Sequence, residues 1–282
     1  SLNTARRLAR ATFHGMLVYR AIPLVDRYLL SNLAEGSISY TGYAMQIMNA
    51  ISSILFGGVA LALFPVMSRN TAEGQPAELK ASMGSGIQMV LFLSVPVVVL
   101  IGVFGESVIR LVLERGTFTA SDSKHVYEAL AIYLLALPIG GIGAIVAQGF
   151  YALQRHRLIA LLGALFMALY VVLCVVLSRA WAFLGIPAAY VIYFLVDLEI
   201  ATGVFRILTG ATGWAPLLGF AGKCVLAALV LAGAIYLAKR VLGDNAVLIS
   251  LCCVIGFVAY AAIAKYLLRL KEPDIIWKAI AR

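Results

Sequence analysis

Charged residues are scarce in this sequence. Asp, Glu, Lys and Arg together make up 12% of its 282 residues, whereas hydrophobic residues make up 63%. A soluble domain typically has about a quarter charged and ~45–50% apolar residues. The composition therefore excludes an ordinary soluble domain and a disordered chain. It predicts an integral membrane protein, and because the apolar runs reach helix-spanning length, an all-α, polytopic helical bundle.

Histidine and cysteine are also few, and neither is arranged as a metal or catalytic site. The three histidines lie at the ends of different apolar segments, and the four cysteines lie inside apolar runs. Glycines 140, 141 and 143 are part of an apolar segment and lack the lysine that a phosphate-binding loop requires. We therefore predict no enzymatic activity, no catalytic residues, no metal site and no organic cofactor.

The formal net charge of +9 does not indicate a nucleic-acid partner. The basic residues are scattered at the ends of apolar segments and form no patch. That distribution is typical of loop charges that face anionic lipid head groups. Membrane lipids are accordingly the expected partners of these residues.

Eight apolar segments of membrane-spanning length follow one another along the chain. Their predicted limits are residues 12–33, 40–66, 84–104, 126–150, 158–177, 186–205, 217–238 and 246–264. Residues 106–113 either extend the third helix or lie along the membrane surface. An even number of spans puts both termini on one side.

Orientation follows from the distribution of Lys and Arg. Thirteen of the 22 lie on the side of the termini, six on the opposite side and three within spans. By the positive-inside bias, both termini of the chain are predicted to be cytoplasmic.

Ionisable residues are concentrated in the first predicted span. Arg20 and Arg27 are about two helical turns apart and share a face, whereas Asp26 lies roughly 100° round from Arg27. Charges within the hydrocarbon are costly and normally face a partner or a wet cavity. We expect Asp26 to be ionised against one of these arginines or a bound cation. Alternatively, the two arginines snorkel to opposite membrane surfaces and Asp26 pairs with a neighbour.

The second span carries an uncharged polar stripe. Gln46, Asn49 and Ser53 recur at helical spacing, and a short turn over residues 34–37 joins this span to the first. Two polar faces joined by a tight turn would line one water-filled space. We therefore predict a functional cavity here, with Arg20, Arg27, Gln46, Asn49 and Ser53 as substrate-binding residues.

Polar groups elsewhere are few. Asp197 lies in the middle of the sixth span and is a second candidate, with Asp26, for ion or proton coupling. The fifth span contains only Tyr170 and Cys174 as weakly polar groups, so it is expected to contribute packing and little ion chemistry. Thr119 is predicted to cap the fourth helix through the backbone N–H of Asp122.

Mid-membrane polar residues in a multi-span protein are typical of secondary transporters. The residues that suggest a particular family are Val25-Asp26-Arg27-Tyr28-Leu29-Leu30-Ser31, Glu35-Gly36-Ser37-Ile38-Ser39-Tyr40, Phe64-Pro65-Val66-Met67-Ser68, Arg115-Gly116-Thr117-Phe118-Thr119 and Gly149-Phe150-Tyr151-Ala152-Leu153-Gln154. Together they resemble the MurJ/MviN family of lipid II flippases, within the multidrug/oligosaccharidyl-lipid/polysaccharide exporter superfamily. The match covers most of residues 1–157 in order and spacing, and the last four spans only in hydropathy and length.

This resemblance implies a domain organisation. Family members have two six-helix lobes and two extra C-terminal helices. Residues 1–206 look like the second lobe, and residues 207–282 look like the two extra helices with a basic cytoplasmic tail. The first lobe would then be a missing partner.

The resemblance also implies a function, which is the flipping of undecaprenyl-linked peptidoglycan precursor across the bacterial cytoplasmic membrane by alternating access. The resemblance implies that Asp26 matches an acidic position that takes part in cation binding in some members, with sodium and a proton as the alternative coupling ions. Gln46 stands where the family usually has arginine, and Cys174 or a neighbour replaces a family asparagine. The alternatives are an exporter of another lipid-linked oligosaccharide and a non-transporting scaffold for cell-wall synthesis.

Overall fold

All of the regular structure found in this computed structural model is helical. The structure describes residues 23–210, 215–242, 255, 256, 258–260 and 262, and no strand occurs among them. This confirms the predicted all-α fold. The helices are α1 (residues 23–31), α2 (Ser37–Ala72), α3 (Pro76–Leu113), α4 (Ala120–Ala152), α5 (His156–Trp181), α6 (Gly185–Thr209) and α7 (Ala215–Leu242), with a 3-10 turn at Ala182–Leu184.

The second to seventh predicted spans each lie wholly within one helix, from α2 to α7. The helices are longer than the predicted spans because the residues that flank each apolar segment continue the helix. Residues 106–113 continue α3, which decides between the two alternatives for that segment. The first span is described only from residue 23, and the eighth only at six positions.

Local signals in the sequence define several helix ends. The Thr119 hydroxyl accepts from the backbone N–H of Asp122, and a carboxylate oxygen of Asp122 accepts from the N–H of Thr119 at 2.7 Å. This capping box confirms the predicted start of α4. Helix α3 begins with Pro76 in its first turn, and α6 is followed by the C-cap residue Gly210, which has a left-handed φ of 61°.

Helix α2 is bent in its second half. The bend between Val59 and Leu61 is 41°. Pro65 cannot donate to the carbonyl of Leu61, which removes one hydrogen bond of the helix at this point. By contrast, Gly141 in α4 is a close-packing site, since a Cβ there would lie 2.5 Å from Val90 and 2.8 Å from Phe56.

By length and composition alone, three described helical runs are apolar enough to cross a membrane, or four if the bent α2 counts as one span. One of the three is the 53-residue run Arg157–Thr209, which contains both α5 and α6. These two helices pack against each other, so the run is a hairpin and not one straight helix. The reversal occurs at Ala182, whose φ is 49°, and at Gly185, where any side chain would collide with the backbone of Leu177.

Helix α4 is the centre of the bundle. It packs against α2, α3 and α6, while α5 covers α6 and α7 covers α3. Its inward face is fully buried at Val126, Ala129, Leu130 and Leu134. The outward faces of α5 and α7 expose large apolar side chains, such as Leu161 at 69%. Such surfaces are suited to lipid and confirm the prediction of a membrane protein.

Candidate functional site

A tight turn joins α1 to α2 where the sequence predicted it. The Asn32 side chain closes the end of α1 by donating to the carbonyl of Tyr28, at 2.8 Å. The Ser37 hydroxyl then donates to the carbonyl of Ala34, at 2.6 Å, as α2 begins. Gly36 has a φ of 88°, a left-handed conformation that glycine adopts without steric cost. This turn sets α1 beside the first half of α2.

A cavity of about 630 Å³ lies between α1, α2 and α4. Its volume is in the range of small-molecule binding sites. The lining carries two formal charges, one acidic and one basic, together with uncharged hydrogen-bonding groups. The polar lining residues are Asp26, Arg27, Ser39, Thr41, Tyr43, Gln46 and Tyr133.

The structure brings together only some of the predicted site residues. Asp26, Arg27 and Gln46 line the cavity. Asn49 and Ser53 lie further along the same exposed face of α2, and the Ser53 hydroxyl donates to the carbonyl of Asn49 at 2.8 Å. They extend the polar stripe beyond the cavity lining. Arg20 lies outside the described residues.

The carboxylate of Asp26 is held by α5. The hydroxyl of Tyr170 donates to its Oδ1 at 2.9 Å, and the Sγ of Cys174 lies 4.0 Å from the same oxygen. Tyr170 and Cys174 are one helical turn apart and therefore share the face of α5 that looks toward α1. Both are buried, among Leu30 and Ile186.

This arrangement corrects one expectation and excludes one of the three partners expected for Asp26. The fifth span was expected to contribute packing and little ion chemistry, yet its two weakly polar side chains are the neighbours of the Asp26 carboxylate. Within the described residues Asp26 makes no ion pair with Arg27, although the two are adjacent in sequence. The ion pair with Arg27 does not form because side chains of adjacent residues on a helix point about 100° apart.

Tyr133 is a residue of the cavity that sequence reasoning missed. It comes from the centre of α4, is 0% exposed, and yet lines the cavity. Its hydroxyl has no hydrogen-bond partner within the described residues. Its ring packs edge-on against that of Tyr190 at 5.3 Å. The only signal in the sequence was a tyrosine in an otherwise apolar segment.

A second polar junction connects the starts of α2 and α4. The Tyr40 hydroxyl donates to a carboxylate oxygen of Asp122 at 2.7 Å. Hydrogen bonds from the backbone of Thr119, then from Tyr40 and the Thr119 side chain, lower the pKa of Asp122 below its ordinary value. The ring of His125 packs against Tyr40 at 5.1 Å and against Phe183 at 5.6 Å.

Asp197 is not brought to this cavity. It is partly buried on α6, is not among the cavity residues, and makes no ion pair within the described part of the chain. In the same part of the chain, no group of three or more His, Cys, Asp or Glu side chains is arranged to hold a metal ion.

Comparison with known proteins identifies the family. The family model described as "Lipid II flippase MurJ" matches residues 1–256. The chain belongs to the MurJ family. This confirms the resemblance carried by the short sequence motifs, and a flippase family is a family of transporters and not of enzymes.

Curated relatives of this MurJ-family chain carry the same name. The "Probable lipid II flippase MurJ" of Bdellovibrio bacteriovorus is 26% identical over 213 residues, which are 76% of this chain and 41% of that protein. The protein of the same name from Rhizobium meliloti is 28% identical over 212 residues, which are 74% of this chain and 39% of that protein. The chain thus spans about two fifths of the length of these relatives.

Solved structures show the MurJ fold. "Lipid II flippase MurJ, inward closed conformation" matches with a TM-score of 0.80 at 20% identity, over 94% of this chain and 53% of that one. An outward-facing "multidrug resistance MATE family transporter of the MOP superfamily" matches with a TM-score of 0.62 at 14% identity, over 90% of this chain and 62% of that one.

Proposed function

We propose that this chain is the second lobe of a lipid II flippase together with its two additional C-terminal helices. Residues 1–206 would form the six-helix lobe, and residues 207–282 the additional helices and a basic tail. The protein would act in the bacterial cytoplasmic membrane with both termini of the chain in the cytoplasm. Family membership supports the activity, and the coverage of about half of a MurJ structure supports the division into lobes.

The observation that carries the proposal is the polar cavity between α1, α2 and α4. It contains Arg27, and the guanidinium group matches the geometry of phosphate oxygens through its planar fork of donors. We infer that Arg27, together with Arg20, which the helical spacing in the sequence would put on the same face, binds the diphosphate of the lipid-linked substrate. Gln46, Asn49 and Ser53 would bind the neutral sugar and amide groups, since each offers hydrogen-bond donors and acceptors.

Transport requires that the cavity open alternately to the two sides of the membrane. The polar stripe on α2 is exposed in this chain. In our proposal, the first lobe of the transporter faces this stripe across the cavity. In our proposal, the two lobes rock against each other around the bound head group. The membrane potential or an ion gradient biases this equilibrium, with Asp26 and Asp197 as the candidate coupling groups for sodium or a proton.

Ligand binding tests this function. Purified lipid II and undecaprenyl diphosphate are titrated separately against the parent protein and against two variants of it, Arg20→Ala and Arg27→Ala. All three proteins are expressed from the complete gene. Both variants should lose at least tenfold in affinity for both lipids, because a charge-assisted contact to phosphate contributes more than about 1.4 kcal/mol. Lysine at either position should restore only part of the affinity, since it keeps the charge but loses the fork.

Arg206→Ala is the matched control, because Arg206 is exposed at the end of α6 and does not line the cavity. Its affinity for both lipids should equal that of the parent. Unchanged affinity in the Arg20 and Arg27 variants would contradict the proposed diphosphate site. A parent that binds neither lipid would favour a non-transporting scaffold for cell-wall synthesis.

One observation favours a second substrate. Gln46 lines the cavity at a position where the family usually has an arginine. The cavity of this chain therefore carries less positive charge than that of a typical family member. A parent that prefers another undecaprenyl-linked oligosaccharide over lipid II would identify the protein as an exporter of that glycan.

A further inference from the structure

Tyr133 combines three properties. Its side chain is completely buried in α4, it lines the cavity, and its hydroxyl has no partner within the described residues. A buried hydroxyl without a hydrogen bond is costly, and such groups are uncommon in folded proteins. A phenylalanine would fill the same space without that cost. The hydroxyl therefore requires an explanation beyond packing.

The other polar groups of the cavity differ from Tyr133 in this respect. The hydroxyl of Thr41, which is also buried, donates to the carbonyl of Ser37 at 2.9 Å. The carboxylate of Asp26 accepts from Tyr170. Gln46 is exposed, so water can satisfy its amide. Tyr133 is the polar lining side chain that is both buried and unpaired in the described part of the chain.

The charges of the cavity indicate what kind of group Tyr133 would meet. Asp26 lines the same cavity and would repel an anion. Arg27, the basic lining residue of the described chain, is exposed and so accessible from outside the bundle. An anionic diphosphate is therefore favoured at Arg27, and an uncharged group that carries a hydrogen-bond donor is favoured beside Tyr133 and Asp26.

We propose that the Tyr133 hydroxyl is a substrate-binding group that hydrogen-bonds an uncharged hydroxyl or amide of the head group in the cavity. This inference rests on the proposed function, and it assigns the part of the cavity beside Tyr133 to the sugar or peptide part of the substrate. Tyr133 thereby becomes a residue that distinguishes a glycosylated lipid from the bare lipid diphosphate.

The test compares Tyr133→Phe with the parent in two assays. In the binding assay, the variant should lose about three- to tenfold in affinity for lipid II, the range expected for one neutral hydrogen bond. Its affinity for undecaprenyl diphosphate, which lacks sugar and peptide, should be unchanged. In the thermal-unfolding assay, the melting temperature of the unliganded variant should equal or exceed that of the parent, because no hydrogen bond within the protein is lost.

Ser94→Ala is the matched control. Ser94 is also fully buried with an unpaired hydroxyl, but it lies on α3 and is not part of the cavity lining. It should leave the affinity for both lipids unchanged. Equal loss of affinity for both lipids in Tyr133→Phe, no loss for either, or a lower melting temperature would overturn the proposal while leaving the flippase function standing. A parent that binds neither lipid would overturn both.

Discussion

Tyr170 donates a hydrogen bond to Asp26 across 144 positions of the sequence, and this contact ties α5 to α1. Tyr170 belongs to a small cluster of buried side chains, with Leu30, Cys174 and Ile186, that is separate from the main core around α4. Asp26 therefore has two neighbours of different kinds, the α5 helix on one side and the cavity on the other. A change at this carboxylate should affect both stability and transport.

The stability contribution can be measured with a double-mutant cycle. Tyr170→Phe should lower the free energy of unfolding by about 1–3 kcal/mol, because the Asp26 oxygen loses its donor. In an Asp26→Ala background the same substitution should cost about 0.5 kcal/mol or less. Tyr28→Phe is the control, since its side chain is 71% exposed on α1. Equal costs in both backgrounds would contradict a direct coupling of the two residues.

The functional contribution of Asp26 should exceed that of its helix neighbour. Asp26→Asn keeps the shape of the side chain but removes its charge, so it should impair growth in a complementation assay for flippase activity. Leu24→Asn introduces a similar amide at a position that is 68% exposed and outside the cavity lining, and it should be tolerated. Full activity of Asp26→Asn would remove this carboxylate from the transport site.

Cysteine labelling tests the predicted orientation. Glu35→Cys and Ser121→Cys should react with a membrane-impermeant thiol reagent added outside the cell, whereas Gln75→Cys should not. All three positions are exposed. Glu35 is preferable to Gly36 because a Cβ at Gly36 would lie 2.5 Å from the ring of Tyr40. The reverse pattern of labelling would place the termini outside.

The start of α4 should depend on pH through Asp122. Hydrogen bonds in the folded state lower the pKa of this carboxyl, so its stabilising effect is present above the unfolded pKa of about 4 and disappears as pH falls through the lower folded value. Asp122→Asn should therefore lower the melting temperature at neutral pH, and the difference from the parent should shrink as the pH falls below about 4. Ser121→Ala, at the exposed neighbouring position, serves as the control. A pH-independent difference would contradict this assignment.

The α5–α6 hairpin should be sensitive to one methyl group. Gly185→Ala would force a Cβ into the backbone of Leu177, and overpacking of this kind typically costs about 1–3 kcal/mol. Gly203→Ala is the matched control on the same helix, since no atom lies within 4 Å of a Cβ there. It should be neutral or stabilising by up to about 1 kcal/mol, because alanine is the better helix former. Similar effects of the two substitutions on unfolding would argue against the close approach.

Much of the architecture was determined by the sequence alone. In hydrocarbon each helix must satisfy its own backbone hydrogen bonds, so the length and hydropathy of a segment suffice to predict a span. The second to seventh predicted spans accordingly lie inside α2 to α7, and the capping box of α4 followed from the identities and spacing of Thr119 and Asp122. The motifs between residues 25 and 154 indicated the family for the same reason, since each is a short local pattern.

The pairing of helices was decided only by the tertiary structure. Helical periodicity tells which side chains share a face, as it did for Gln46, Asn49 and Ser53, but not which other helix that face meets. The contact of Tyr40 with Asp122 joins residues 82 positions apart, and that of Asp26 with Tyr170 joins residues 144 apart. Both depend on how whole helices rotate and pack, which no local pattern encodes.

The same reason explains the cavity. The sequence alone predicted three of the cavity residues, Asp26, Arg27 and Gln46, because charged and amide side chains are unusual in an apolar span. Tyr133 could not, because a tyrosine in a membrane helix is ordinary until its surroundings are known. Only the packing of α4 against α2 places that tyrosine in the cavity with its hydroxyl unpaired within the described residues.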